Sequence, residues 1–163
     1  MKNWLMKIKG KIPEGMNEIQ MDTFLKDHLF GRVKIDDFET RNLITSAGRR
    51  AVISALSNPQ KNHNGSIVPK FKILKFGAST SIETPTQFDT SLGRTTVKRV
   101  IEQVDPVGDK LIITNFVGTP EMNFNWRKVG LFLSDGTLFS IALCNEPKTN
   151  EVSKTVCWEI VWE

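Results

Sequence analysis

The sequence predicts a mainly β protein: an antiparallel β-sandwich with one N-terminal α-helix and an extended N-terminal arm. Three observations carry this reading. Residues 67–162 break into six short strand-like runs separated by turn residues. Helical periodicity is clear in one stretch, and it precedes those runs. No helical segment lies between the strands, so the crossovers that a parallel sheet needs are missing and a Rossmann-type sheet is excluded. What remains is an antiparallel sandwich or barrel. Ten Phe, four Trp and no Tyr, with abundant Thr and Asn, agree with a chain rich in strands and turns.

The elements follow in chain order. In residues 1–40, Lys2, Lys7, Lys9 and Lys11 precede the first acid, Glu14, and Pro13 and Gly15 break any early helix. Phe24, Leu25 and Leu29 have rough helical spacing, enough for a short helix over Asp22–Phe30. The segment reads as an extended arm on a partner or on the domain, with a basic clamp on nucleic acid or membrane as the functional alternative. The domain limits are therefore 1–40 for the arm and 41–163 for the helix and sandwich.

The helix is read over Asn42–Leu56. Leu43, Ala47, Ala51 and Ala55 recur every four residues, with Ile44, Val52 and Leu56 beside them. Thr45 or Ser46 caps its start and Asn58-Pro59 stops it, leaving Arg49 and Arg50 toward solvent. A polar turn, Asn62–Ser66, leads to strands at Ile67–Phe76, Thr95–Val104, Lys110–Val117, Phe124–Leu133, Thr137–Cys144 and Thr155–Trp162. Asp105–Asp109 and Asp135-Gly136 are their turn signals, the latter accepting positive φ. Gly77–Leu92 is a long polar connection, a length at which loops often carry function or pack against a neighbour.

Composition bounds the function. At 163 residues the chain is about one domain, and 39% hydrophobic with 25% charged residues fits a soluble globular protein rather than a disordered one. No apolar run approaches the roughly 20 residues that cross a bilayer. The lysine-rich start has no apolar stretch behind it, so it is not a signal peptide and synthesis in a cytoplasm is expected. Net charge is +4, but residues 1–81 hold 14 basic and 7 acidic side chains while residues 82–163 hold 8 and 11. That asymmetry suits subunits stacked basic end to acidic end. Cys144 and Cys157 match no metal-binding spacing and are expected on neighbouring strands as small buried residues.

The search for chemistry finds no catalytic pattern. His28 and His63 lie 35 positions apart without a partner at ligand spacing. Asp36-Asp37 reads as a turn or cap. No phosphate loop, nucleophile elbow or zinc-helix motif is present. Lys70, Lys72, Lys75, Lys98 and Arg99 interleave with Phe71 and Phe76 and imitate a nucleic-acid surface, yet the aromatics alternate as core residues do. Trp126 and Trp158 read as core or interface, with a carbohydrate platform as the alternative. A protein that works through surfaces is expected: no enzyme, no cofactor and no metal.

The order of motifs adds a resemblance. Asn42-Leu-Ile-Thr-Ser-Ala-Gly48, Lys75-Phe-Gly-Ala-Ser-Thr80, Asp89-Thr-Ser-Leu92 with Arg94, Val129-Gly-Leu-Phe-Leu-Ser-Asp-Gly-Thr-Leu138 and Lys154-Thr-Val-Cys-Trp-Glu-Ile-Val-Trp162 follow one another. Over residues 41–163 this resembles small tailed-bacteriophage structural proteins of the tail, baseplate and tail-fibre region. Ala78-Ser79 and Arg127-Lys128 depart from the usual residues at their positions. The resemblance implies a virion component made in a host cytoplasm, bound to other virion proteins of the tail, baseplate, fibre or neck, and homo-oligomeric. The expected partner-binding residues are Lys2, Trp4, Lys7, Lys9 and Lys11 on the arm and Asp89, Thr90, Leu92 and Arg94 on the long loop. Gly77 and Gly130 are read as sites of close backbone approach or a bulge.

Overall fold

The computed structural model describes residues 2–57, 60–61, 67–68 and 71–163. The Asn62–Ser66 turn, the Asn58-Pro59 stop, His63 and Lys70 lie outside the described residues. The chain runs α1 (Lys2–Lys11), α2 (Glu18–His28), β1 (Leu29–Ile35), β2 (Phe38–Ile44), α3 (Ser46–Ser57), β3 (Gln60–Lys61), β4 (Ile67–Val68), β5 (Ile73–Ser79), β6 (Val97–Val100), β7 (Gln103–Val107), β8 (Lys110–Val117), β9 (Asn125–Leu133), β10 (Leu138–Pro147) and β11 (Lys154–Trp162). Strands β3 and β4 pair with each other; the others form one antiparallel sheet in the order β6-β5-β9-β10-β2-β1-β11-β8-β7. This sheet curls into a half-barrel. Its two outermost strands, β6 and β7, are consecutive in the chain and joined only by Ile101 and Glu102. There the Ile101 amide donates to the Leu74 carbonyl at 2.9 Å and the Glu102 amide to Asn115 Oδ1 at 3.4 Å, and beside them Arg99 of β6 donates to the Phe116 carbonyl at 2.7 Å. One short connector thus ties strand β5 to strand β8 across the curl.

The extended arm is overturned. Trp4, Leu5 and Ile8 make one buried stripe on α1, and Pro13 and Gly15 fall after the helix instead of inside it. Helix α2 is started by a reciprocal cap in which the Asn17 side chain accepts from the Gln20 amide and the Gln20 side chain accepts from the Asn17 amide. Residues Leu29, Gly31, Val33 and Ile35 alternate inward along β1, which lies in the middle of the sheet between β2 and β11. Strand β2 runs across the expected boundary at 40/41. The two-residue turn Asp36-Asp37 joins them, with Asp36 at φ 49°, a backbone that Asp tolerates. Gly31 hides the strand from a pattern reading because it interrupts the apolar alternation, and it is glycine because Asn42 lies across its backbone where a Cβ would stand.

Among the described residues, three helices and nine sheet strands thus stand where the sequence reading has one clear helix, a short one over Asp22–Phe30 that α2 overlaps, and six strands. Helix α3 starts four residues later than expected, since Asn42–Ile44 continue β2. Thr45 is its cap, taking the Gly48 amide at 2.9 Å. The run Thr95–Val104 splits at Ile101 into β6 and β7. Cys144 and Cys157 are both free, but β10 and β11 are separated by β2 and β1, so the expected neighbouring strands are corrected.

The hollow of the sheet is filled with aromatic side chains. Phe76 meets Trp126 and Trp158 edge-on at 5.7 and 6.0 Å, and Phe71 meets Phe139 at 5.2 Å. Trp126 and Trp158 are fully buried, which removes them as carbohydrate platforms. A second, smaller cluster of Leu92, Phe132, Leu138 and Ile141 lies on the other face. There Gly77 and Gly130 fulfil the close approach expected of them: a Cβ on Gly130 would stand 2.8 Å from both Leu92 Cδ2 and the Ser140 carbonyl oxygen.

Candidate functional site

The expected partner-binding residues divide into two groups with different fates. On α1, Trp4 is fully buried and stacks on Phe71 at 5.9 Å. Its Nε1 donates to the Asp109 carbonyl at 3.0 Å. Lys7 Nζ donates to the Gly108 carbonyl at 3.0 Å, and Lys11 pairs with the Asp109 carboxylate at 3.2 Å. These three clamp α1 to the β7–β8 turn; full burial corrects the assignment of Trp4 as a partner contact, while Lys7 and Lys11 stay exposed beside their internal partners. Lys9 is exposed, and Lys2 opens the helix.

The second group sits on the connection between β5 and β6. Thr90 and Arg94 are exposed, Asp89 is half-buried, and Leu92 is fully buried in the outer cluster, so Leu92 is an anchor and not a contact surface. Ser79 Oγ donates to the Leu92 carbonyl at 2.8 Å. The Asp89 carboxylate accepts from the Thr86 amide and hydroxyl, both at 3.0 Å, which closes a tight turn. The Ser46 amide donates to the Gln87 carbonyl at 2.7 Å. The loop is therefore held at its middle by α3 and at its far end by the sheet. It presents Ile82, ahead of the middle anchor, at 66% exposure and Phe88, between the two anchors, at 75%. No hydrogen bond or ion pair among the described residues links this loop to α1.

Arg49 is the hub of that arrangement and corrects the expectation of a solvent-facing side chain. Only 3% of it is exposed. It donates to Asp22 Oδ1 of α2 at 2.9 Å, to the Ile44 carbonyl of β2 at 3.2 Å and to Gln87 Oε1 of the loop at 2.8 Å. A single guanidinium, with its fixed fork of donors, thereby joins a helix, a strand and the loop. Arg50 is exposed as expected.

Beside the loop the outer face of β1, β2 and β10 carries an apolar groove. Two adjoining cavities of about 280 and 350 Å³ share Phe30, Asn42 and Leu43. Gln87 lines the first and Pro85 the second. Leu43 and Leu143 are 43% and 40% exposed, and the Arg41 guanidinium lies 4.5 Å over the Phe30 ring. Leu43, expected on the apolar face of the helix, instead lies exposed on β2; Phe30, Ile82 and Phe88 had no surface role in the sequence reading, although Phe88 is a lone aromatic in the polar run Glu83–Asp89.

The remaining candidates have structural surroundings. His28 Nδ1 lies 2.6 Å from the Glu163 carbonyl oxygen, and its ring stacks on Trp162 at 5.3 Å. Asp36 accepts the Thr155 amide at 3.0 Å and faces Lys154 at 3.5 Å. Burial works against the Lys154 charge, but Glu146 and Asp36 outweigh it and raise its pKa. Burial pushes the Cys144 thiol up to about 12 and raises Cys157 as well. Among the lysines of the imagined nucleic-acid surface, Lys72, Lys75 and Lys98 are exposed, and Lys98 lies 4.0 Å over the Phe132 ring. Arg99 instead pairs with Glu102 and Glu121. Among the described residues no three His, Cys, Asp or Glu side chains come together as a metal site, and no helix is long and apolar enough to cross a membrane. In comparisons with known proteins, no family model matches the chain, and no curated protein and no solved structure matches it.

Proposed function

We propose that the chain is a non-enzymatic structural component of a tailed-bacteriophage virion, from the tail, baseplate or tail-fibre region. It is made in the host cytoplasm and joins neighbouring virion subunits, its own copies among them. The observation that carries the assembly reading is the loop 80–96. It exposes Ile82 and Phe88 while Leu92, Gln87 and the Thr86–Asp89 turn hold it in place. A pre-ordered loop with exposed apolar side chains binds a partner without a large ordering cost. The order of motifs over residues 41–163 supports the virion assignment.

The two flanks of the curled sheet are read as the facing layers of a sandwich-like barrel. Phe76 of β5 touches Trp158 of β11 across the hollow, which supports this. A second reading, nucleic-acid binding, rests on Lys75 and Lys98 on the outer side of β5 and β6; absence of DNA and RNA binding at low salt ends it.

Light scattering after size exclusion, at low and moderate salt, tests the assembly reading. A discrete oligomer is expected, dissociated by the pair Ile82→Ser and Phe88→Ser with the circular dichroism unchanged. A salt-independent monomer at several hundred micromolar overturns self-assembly.

A further inference from the structure

The groove on β1, β2 and β10 and the side chain of Phe88 form a complementary pair on one molecule. We propose that a second copy of this chain occupies the groove: Phe88 of each of two copies seats against Phe30 and Leu43 of the other, in a mutual, two-fold contact. The inference rests on the assembly reading above and names its partner and its surface.

Three observations converge. Phe88 is the most exposed aromatic side chain among the described residues, at 75%, and it sits in a turn closed by the Thr86–Asp89 hydrogen bonds. The groove is apolar and open, with Leu43 at its centre belonging to both cavities. The charges match. The loop carries Glu83 and, next to Phe88, Asp89, whereas the groove is bordered by Lys26 and by Arg41, whose side chain is 60% exposed; Arg41 shares the single Glu163 carboxylate with Arg32, so this border keeps a net positive charge.

The symmetry follows from where the two parts sit. Pro85 and Gln87, the near neighbours of Phe88, already line the groove of their own chain. Projection and recess therefore share one patch, and the same patch on a second copy meets it about a two-fold axis. Both aromatic rings are buried in one event and the contact closes at two copies. A projection and recess on opposite sides of the molecule would instead build an open filament or a ring.

The test is cross-linking between two different single-site variants. Phe88→Cys and Leu43→Cys are each made in a Cys157→Ser background, mixed in equal amounts and oxidised. A disulfide-linked heterodimer is expected, several-fold above either variant alone. In light scattering Phe88→Ser shifts the monomer–dimer midpoint by roughly tenfold or more, the loss of one buried aromatic per half-site. Glu83→Arg and Arg41→Glu each weaken the dimer, and the two together restore it. A wild-type oligomer that gives no heterodimer and ignores Phe88→Ser overturns this contact while leaving the assembly reading standing. A wild-type monomer at every concentration overturns both.

Discussion

Gly130→Ala is a one-carbon change whose consequence is set by the outer face of the sheet. A Cβ at this position falls 2.8 Å from Leu92 Cδ2, 2.8 Å from the Ser140 carbonyl oxygen and 3.0 Å from Leu138 Cδ1. The two leucine methyls can rotate away, but the Ser140 carbonyl belongs to the paired strand β10 and moves only with the sheet. Overpacking of this kind costs about 1–3 kcal/mol. The smaller freedom of the unfolded chain returns about 0.5–1 kcal/mol, because Gly130 does not use a positive φ. The clash with a backbone carbonyl puts the cost in the upper half of the overpacking range, about 2–3 kcal/mol, so the net expectation is a loss of about 1–2.5 kcal/mol. Leu92→Ala, from a fully buried position, costs about 3 kcal/mol. It also removes one of the obstructing atoms, so the double variant loses about 1 kcal/mol less than the sum of the two. Gly10→Ala is the control: nothing lies within 4 Å of its Cβ position in α1, and a stabilisation of about 0.5–1 kcal/mol is expected. Urea unfolding followed by tryptophan fluorescence reads all four, uncomplicated by tyrosine because the chain has none. A Gly130→Ala variant as stable as wild type, or one that adds fully with Leu92→Ala, refutes the argument that Leu92 packs directly on the glycine backbone.

Three further outcomes follow from the geometry. Arg49→Met leaves Asp22, Gln87 and the Ile44 carbonyl without their donor; with Asp22 one-third exposed, a loss of about 2 kcal/mol is expected, together with faster proteolysis in the loop 80–96, and equal cleavage in both proteins refutes the anchoring. Asp135 has its pKa lowered from 3.8 by the Thr137 amide and hydroxyl, so its contribution is present above the unfolded value and is lost as pH falls through the folded one; the melting temperatures of wild type and Asp135→Asn should differ at pH 7 and converge at low pH, and a constant gap contradicts this. With the Cys144 thiol near 12 and buried, alkylation of the native protein should modify Cys157 slowly and Cys144 only on unfolding, as peptide mass mapping distinguishes.

The β-rich class and the later strands were legible because they rest on local signals. Strand β8 has its expected bounds, Lys110–Val117, because a Gly-Asp turn starts it and its alternation is unbroken. The Asp135-Gly136 hairpin and the Thr45 cap are likewise properties of a few adjacent residues. The first forty residues were not legible, because their meaning depends on contacts about a hundred positions away. Lysines 7 and 11 look like a free basic arm until the Gly108-Asp109 turn is found beneath them. Strand β1 looks irregular until Asn42 is seen to occupy the space that Gly31 leaves. The same holds for the candidate surface. The sequence marked the polar loop and named Asp89, Thr90, Leu92 and Arg94, but the burial of Leu92 is decided by its packing on Gly77 and Gly130, and Phe88 is left exposed. Propensity and turn chemistry act over a few residues and determine which segments become strands; which side chain of a strand or loop is left facing outward is decided by what packs on it, and only the tertiary structure supplies that neighbour.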